Sequence, residues 1–156
     1  MRRTIVILSL FLLWAGCNKN NPVSPVTDTL QSDGLQVTFA VPRPSYGIHD
    51  TLVATTTVYN PGDTTVSFWI PNCWPISWYT VQDSSGTTRV SYAAPRDLSC
   101  NSFTGYSILP HQSKQIFNLS IRIAIADLDG TQGAQGSYVL EVDNYFGTFS
   151  LKFTAV

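Results

Sequence analysis

Charge is what this sequence has least of. Only 12% of its 156 residues are Asp, Glu, Lys or Arg, and the net charge is −1. No basic run is present, which argues against nucleic acid as a partner, because phosphate binding needs clustered Lys and Arg. Histidine is scarce too: His49 and His111 each stand at a turn before a strand and are expected to face solvent. There is no G-x-S-x-G elbow, no P-loop and no H-E-x-x-H helix, so the usual signatures of nucleophilic, phosphoryl-transfer and zinc chemistry are missing. Asp127-Leu128-Asp129-Gly130 lacks the further ligands at fixed offsets that an EF-hand requires, and reads as a solvated loop. The lone glutamate, Glu141, falls on the polar parity of a strand. With no acid–base pair and no nucleophile beside a base, the expectation is a non-enzymatic chain that needs no cofactor and no metal. Sustained helical periods are absent as well, while Thr, Ser, Val and aromatics are plentiful, which favours strands.

The one long apolar run lies at the start. Arg2 and Arg3 precede Ile5 to Trp14, broken only by Ser9. The run is too short for a comfortable membrane span and has the form of an export signal. Ala15-Gly16-Cys17 ends it. Small residues followed by Cys resemble the lipobox of bacterial lipoproteins, with Trp14 in place of the usual aliphatic residue. That resemblance implies that residues 1–16 are removed and that Cys17 is lipidated as the mature N-terminus. An ordinary signal peptide with a free Cys17 is the alternative. Residues 17–33 are rich in Asn, Pro, Ser and Thr, with little apolar surface, and read as a flexible tether. The expected location is the cell envelope, with the domain anchored to a membrane through Cys17 and facing the periplasm or exterior.

Residues 34–156 read as one domain. In 50–73, Leu52, Ala54, Thr56 and Val58 share one parity, so a strand with a mostly apolar face is expected there. Asn60-Pro61-Gly62-Asp63 is a turn, and Val66, Phe68 and Ile70 alternate with Ser67 and Trp69 beyond it. These two runs are expected to form a hairpin. A first strand carries Leu35, Val37, Phe39 and Val41. A second hairpin turns at Asp83-Ser84-Ser85-Gly86. The longest alternation runs from Gln115 through Phe117, Leu119, Ile121 and Ile123 to Ile125. Tyr138, Leu140 and Val142 form the next strand, and Phe149, Leu151 and Phe153 the last. Short strands at this spacing predict an all-β fold, an antiparallel immunoglobulin-like β-sandwich of about eight or nine strands. A closed barrel is the main alternative.

With Cys17 committed to lipid, Cys73 and Cys100 remain as a pair. Export makes a disulfide the default for them, and two lone Cys without a nearby His are poor zinc ligands. Trp69, Trp74, Trp78 and Tyr79 crowd around Pro71 and Pro75. Of Trp78 and Tyr79 only one can face inward, because adjacent strand residues point to opposite faces. The loop carrying Pro71, Trp74 and Pro75 has two prolines and a bridged Cys, so it is the best pre-organised surface. Trp74, Pro71 and Pro75 are therefore the candidate partner contact, with end-of-core packing as the bland alternative for Trp74.

Four stretches carry a family resemblance: TLVATTTVYNPGDTTVSF, WYTVQDSSGTTRV, YSILPHQSKQIF and GAQGSYVLEV. From about Leu35 to Phe153 the chain resembles the BsuPI family of intracellular proteinase inhibitors and related immunoglobulin-like lipoprotein domains. His111-Gln112 stands where that family tends to have Gly-Glu, and Gln135 where Pro is common. These motifs are turns and core positions. The resemblance implies a protein-binding domain, with a protease or another envelope protein as partner. A structural spacer and a carbohydrate-binding sandwich are the other function classes left open.

Overall fold

The computed structural model describes residues 23–47, 49–73, 75–95, 100–117, 121–125 and 135–156. Among them there is no α-helix, and twelve strands lie in three sheets. The first sheet holds β1 (Val26–Ser32), β2 (Leu35–Val41), β4 (Thr51–Tyr59), β9 (Ser113–Gln115) and β10 (Ile121–Ala124). The second runs in the order β3 (Ser45–Tyr46), β12 (Gly147–Ala155), β11 (Gly136–Asn144), β6 (Ile76–Asp83) and β7 (Thr88–Ala93). The third is a two-stranded ribbon of β5 (Val66–Pro71) and β8 (Phe103–Ile108). All pairings are antiparallel except the short one between β12 and β3. This is the all-β antiparallel sandwich that the alternation predicts. The strand count exceeds the expected eight or nine: nine strands have six residues or more, and the short β3, β9 and β10 raise the total among the described residues to twelve.

The period-2 pattern places the core. Leu35, Val37, Phe39 and Val41 of β2 and Leu52, Ala54 and Val58 of β4 are buried from the first sheet. Tyr138, Leu140 and Val142 of β11 and Phe149, Leu151 and Phe153 of β12 are buried from the second. The two sets meet across the sandwich, where the rings of Phe39 and Phe149 lie 5.5 Å apart. Burying each such side chain contributes roughly 1.5–3 kcal/mol. Thr56 and Asn144 are buried polar residues on facing sheets, and Asn144 Nδ2 donates to Thr56 Oγ1 at 3.4 Å. Tyr79 turns toward the core, while Trp78 shares the outward parity with Asp143 and Ala93. Glu141 also lies on that outward parity, as expected.

Three expectations are corrected. First, the tether does not reach Asp33. Val26–Ser32 forms β1, paired with β2 residue by residue from Val26↔Val41 to Ser32↔Leu35. Asp33 and Gly34 adopt φ of 50° and 77°, the two left-handed residues of a type I′ hairpin turn. Val26 and Leu30 pack on the core, and the Asp28 carboxylate accepts the Ser150 N–H at 2.7 Å. β1 thereby covers the edge of β12, which would otherwise expose unpaired backbone groups.

Second, 50–73 is not a hairpin. β4 pairs with β2 along one edge and with β9 along the other, so no edge is left for β5. β5 pairs with β8 instead, from Val66↔Ile108 to Pro71↔Phe103. Asn60 fixes the departure. Its buried Nδ2 donates to Thr64 O at 2.8 Å and Ile108 O at 3.0 Å, and its Oδ1 accepts Gly62 N–H at 3.0 Å.

Third, the long alternation from Gln115 to Ile125 is interrupted. Gln115 stands opposite Thr57 and Ile121 opposite Ala54, so the strand advances further than its partner between them. The consecutive residues Ile116 and Phe117 are both buried, which no continuous strand with one buried face allows. Residues 118–120 of that run and the Asp127–Gly130 loop lie outside the described residues.

Candidate functional site

The candidate site begins where β5 ends. Cys73 and Cys100 are joined by a disulfide, their Cα atoms 5.7 Å apart. In the chain-entropy model a loop of this length is worth about 3.5 kcal/mol. The bridge extends a polar seam between the strands. Asn72 N–H donates to Ser102 O at 2.8 Å, and Asn72 Nδ2 to Ser102 Oγ at 2.8 Å. The Thr104 hydroxyl donates to Asn72 Oδ1 at 2.6 Å. Pro71 and Pro75 are half-buried, and Pro75 O accepts Tyr145 N–H from the β11–β12 turn at 3.3 Å. The expected loop is therefore fastened on both sides. Beneath it a cavity of about 150 Å³ opens among Ile70, Pro71, Pro75, Tyr106, Ile116 and Phe117. Trp74, the third expected contact, lies outside the described residues, as does the lipidation candidate Cys17.

The ribbon that the bridge ties has two unlike faces. Inward, Phe68 stacks on Tyr106 with ring centroids 5.7 Å apart, and meets Phe146 edge-on at 5.6 Å. The Tyr106 hydroxyl donates to Ile116 O at 2.9 Å. Outward, three cross-strand pairs follow one another: Ser67 with Ser107, Trp69 with Gly105, and Pro71 with Phe103. Trp69 is 67% exposed and Phe103 53%. Trp69 lies flat over Gly105: a Cβ at that glycine would come within 3.2 Å of its Cη2 and Cζ3. Gly105 thus makes room for the indole, whose other side faces water. The Ser67 and Ser107 hydroxyls share a hydrogen bond of 2.8 Å beside it.

The sequence points to Trp74 as the contact; Trp69 stands in the same aromatic cluster without being singled out, and Phe103 and Gly105 are not among the candidates. A signal was available. Trp69 alternates with Val66, Phe68 and Ile70, on the parity of Ser67, so a large aromatic stands on the solvent side of an amphipathic strand. Its pairing with Gly105 depends on the crossing from β4 to the ribbon, which the turn residues do not announce.

Titratable groups elsewhere are tied into turns. Asp83 accepts from Ser85 Oγ at 2.6 Å, from Thr87 N–H at 3.0 Å, and from Arg89. These bonds, the Ser85 hydroxyl first, hold its carboxyl well below the usual range. Asp50 is lowered by the Gly47 N–H, 2.6 Å away, and by Arg43 at 2.8 Å. Burial pushes Tyr79 up, and Tyr92, stacked on it at 5.4 Å, adds to the shift. His111 is exposed and meets Asp63 at 3.0 Å. Among the described residues no three His, Cys, Asp or Glu side chains converge as a metal site would need. A cleft of about 590 Å³ opens between the β6–β7 turn and the ends of β11 and β12. Among the described residues no helix is long and apolar enough to cross a membrane.

A disulfide-tied β-sandwich with an exposed aromatic ribbon is thus the class of protein that fold and site define. No family model matches the chain, and no curated relative matches it. Some solved structures are similar to it. The β-glucosidase EmGH1 from Erythrobacter marinus shares 16% identity at a TM-score of 0.38, over 83% of this chain and 16% of that one. A β-glucosidase from Listeria innocua shares 11% at a TM-score of 0.38, over 78% and 16%. A CARDB domain from Pyrococcus furiosus shares 14% at 0.34, over 83% and 95%. The chain spans about a sixth of the glucosidases' length, and likenesses at these TM-scores carry no argument about activity or ligand.

Proposed function

We propose that this chain is a non-enzymatic binding module of the cell envelope, held there through lipid on Cys17. Its contact is the outer face of the β5–β8 ribbon. The observation that carries this reading is the flat, two-thirds-exposed Trp69 seated on Gly105, next to exposed Phe103. Exposed apolar residues that stand together mark recognition surfaces, because covering them removes apolar area from water. The face is also pre-organised: the ladder, the Asn72–Ser102 seam and the Cys73–Cys100 bridge fix its strands before any ligand arrives. Rigidity lowers the entropy lost on binding. A protein partner, a protease among them by the BsuPI resemblance, would also meet Pro71 and Pro75, in the loop that leaves β5 beside the bridge.

The test places a photo-crosslinking residue at position 103 of the full chain, with Ser91 on the outer face of the second sheet as the control position. Irradiated envelopes should yield adducts from position 103 and not from position 91. Equal yields from the two positions, or none from position 103, would remove the ribbon as the contact.

A further inference from the structure

We propose that the ligand of this ribbon is a neutral carbohydrate, stacked by the face of a pyranose ring on the indole of Trp69. The assignment rests on the binding-module reading and adds the chemical class of the ligand. Three observations lead to it.

Shape comes first. The indole lies along the ribbon, held down because position 105 has no Cβ: an added one would sit 3.2 Å from the ring. A ring in that posture offers one broad π-face to solvent rather than an edge. The face of an aromatic ring is electron-rich. The C–H bonds on one side of a pyranose, polarised by their oxygens, form a matching flat surface.

Charge comes second. The six outward positions of the ribbon are Ser67, Trp69, Pro71, Phe103, Gly105 and Ser107, and none is ionisable. A nucleobase would also stack on an indole, but its phosphates would require cations that this face does not hold. The ligand that fits carries no net charge. It needs hydroxyl partners at its rim, and the Ser67–Ser107 pair supplies two oxygens with bonding capacity left over.

Extent comes third. A standard protein interface engages about 20–30 residues a side. The exposed aromatic strip here is Trp69 and Phe103 with Pro71 between the strands' ends. That is the footprint of one or two sugar rings. Phe103 stands one cross-strand pair beyond Trp69, so a chain of sugars running along the ribbon would meet both.

The experiment is affinity electrophoresis of the full chain through gels holding laminarin, amylose or glucomannan, all neutral polysaccharides. At least one gel should retard the protein. Trp69→Ala should weaken that retardation at least tenfold, and Trp69→Phe should keep part of it. Gly105→Ala retains the indole but lifts it, and should weaken binding at least threefold with an unchanged melting temperature. That variant separates a stacking platform from a merely sticky residue. Retardation by none of the three polysaccharides, or equal retardation of Trp69→Ala, overturns the carbohydrate assignment. If the gels fail while position 103 still crosslinks to a protein, the carbohydrate falls and the ribbon contact stands. If both fail, both fall.

Discussion

At the scale of single residues, the heaviest duties fall on polar side chains that the sequence displays as turn formers. Asn60 follows a strand and precedes Pro-Gly-Asp, so it reads as a turn residue, and it is one. Its burial to 1% exposure and its reach to Ile108 O, 48 positions away, follow from the crossing of β5 to β8. Asn60→Ala would strand two carbonyls and one N–H in or near the core. Each buried polar group left unpaired costs about 1–3 kcal/mol, so the variant should lose about 3 kcal/mol in denaturant unfolding. An effect under 0.5 kcal/mol would show that water replaces the amide freely. Asp83 makes a different prediction. Its folded pKa is depressed, so its contribution to stability is present above the unfolded value of about 4 and is lost as pH falls below it. Asp83→Asn should therefore unfold more easily at pH 7, yet its stability should fall less than that of the parent between pH 5 and 2. Parallel pH profiles for the two proteins would refute this. His111 shows how a departure from a motif is absorbed. It occupies the position where the resembling family tends to have Gly, and it keeps the left-handed φ of 55° that Gly takes without cost.

At the scale of elements, legibility follows the number of constraints a segment satisfies by itself. The β6–β7 and β11–β12 hairpins carry alternation, a turn residue and short connections, and both form where the sequence puts them. The Asn144–Gly147 turn is closed locally by Phe146 N–H on Asn144 Oδ1 at 2.9 Å. The proposed 50–73 hairpin had the same local signs but lacked a free edge, and no local pattern reports which edges are taken. β1 was hidden by composition. Its outward Thr27, Thr29 and Gln31 look like tether, and only Val26 and Leu30 face the core. The Asp33-Gly34 pair that closes its turn was the signal to weigh more heavily. Leu30 gives the discriminating variant. In a tether Leu30→Ala would change nothing. In β1, where Leu30 Cδ2 would lie 3.0 Å from a Cβ placed on Gly147, it should cost about 1–2 kcal/mol. An unchanged midpoint in denaturant would return these residues to the tether.

At the scale of the whole molecule, the early start of β1 alters how the domain would be held. With the first strand at Val26, the chain between it and Cys17 is residues 18–25 alone rather than 18–33. Fully extended, a stretch that long spans at most about 30 Å, from roughly 3.3–3.6 Å per residue. A domain tethered through Cys17 would stay within about its own diameter of the bilayer surface, where an outward-facing ribbon samples envelope components at high local concentration. The Arg2-Arg3 start, the apolar run to Trp14 and Ala15-Gly16-Cys17 predict that lipid is attached at that Cys. A chain carrying two acyl groups on one residue stays bound to membranes, whereas a single short chain leaves readily. Cells fed a labelled fatty acid should therefore yield labelled full-length protein in the membrane fraction, and Cys17→Ala should be unlabelled and shift to the soluble fraction. Cys73 and Cys100 are joined to each other and should take no label in either protein. Label that persists in Cys17→Ala, or the same fractionation and no label for both proteins, would sink the anchor at Cys17.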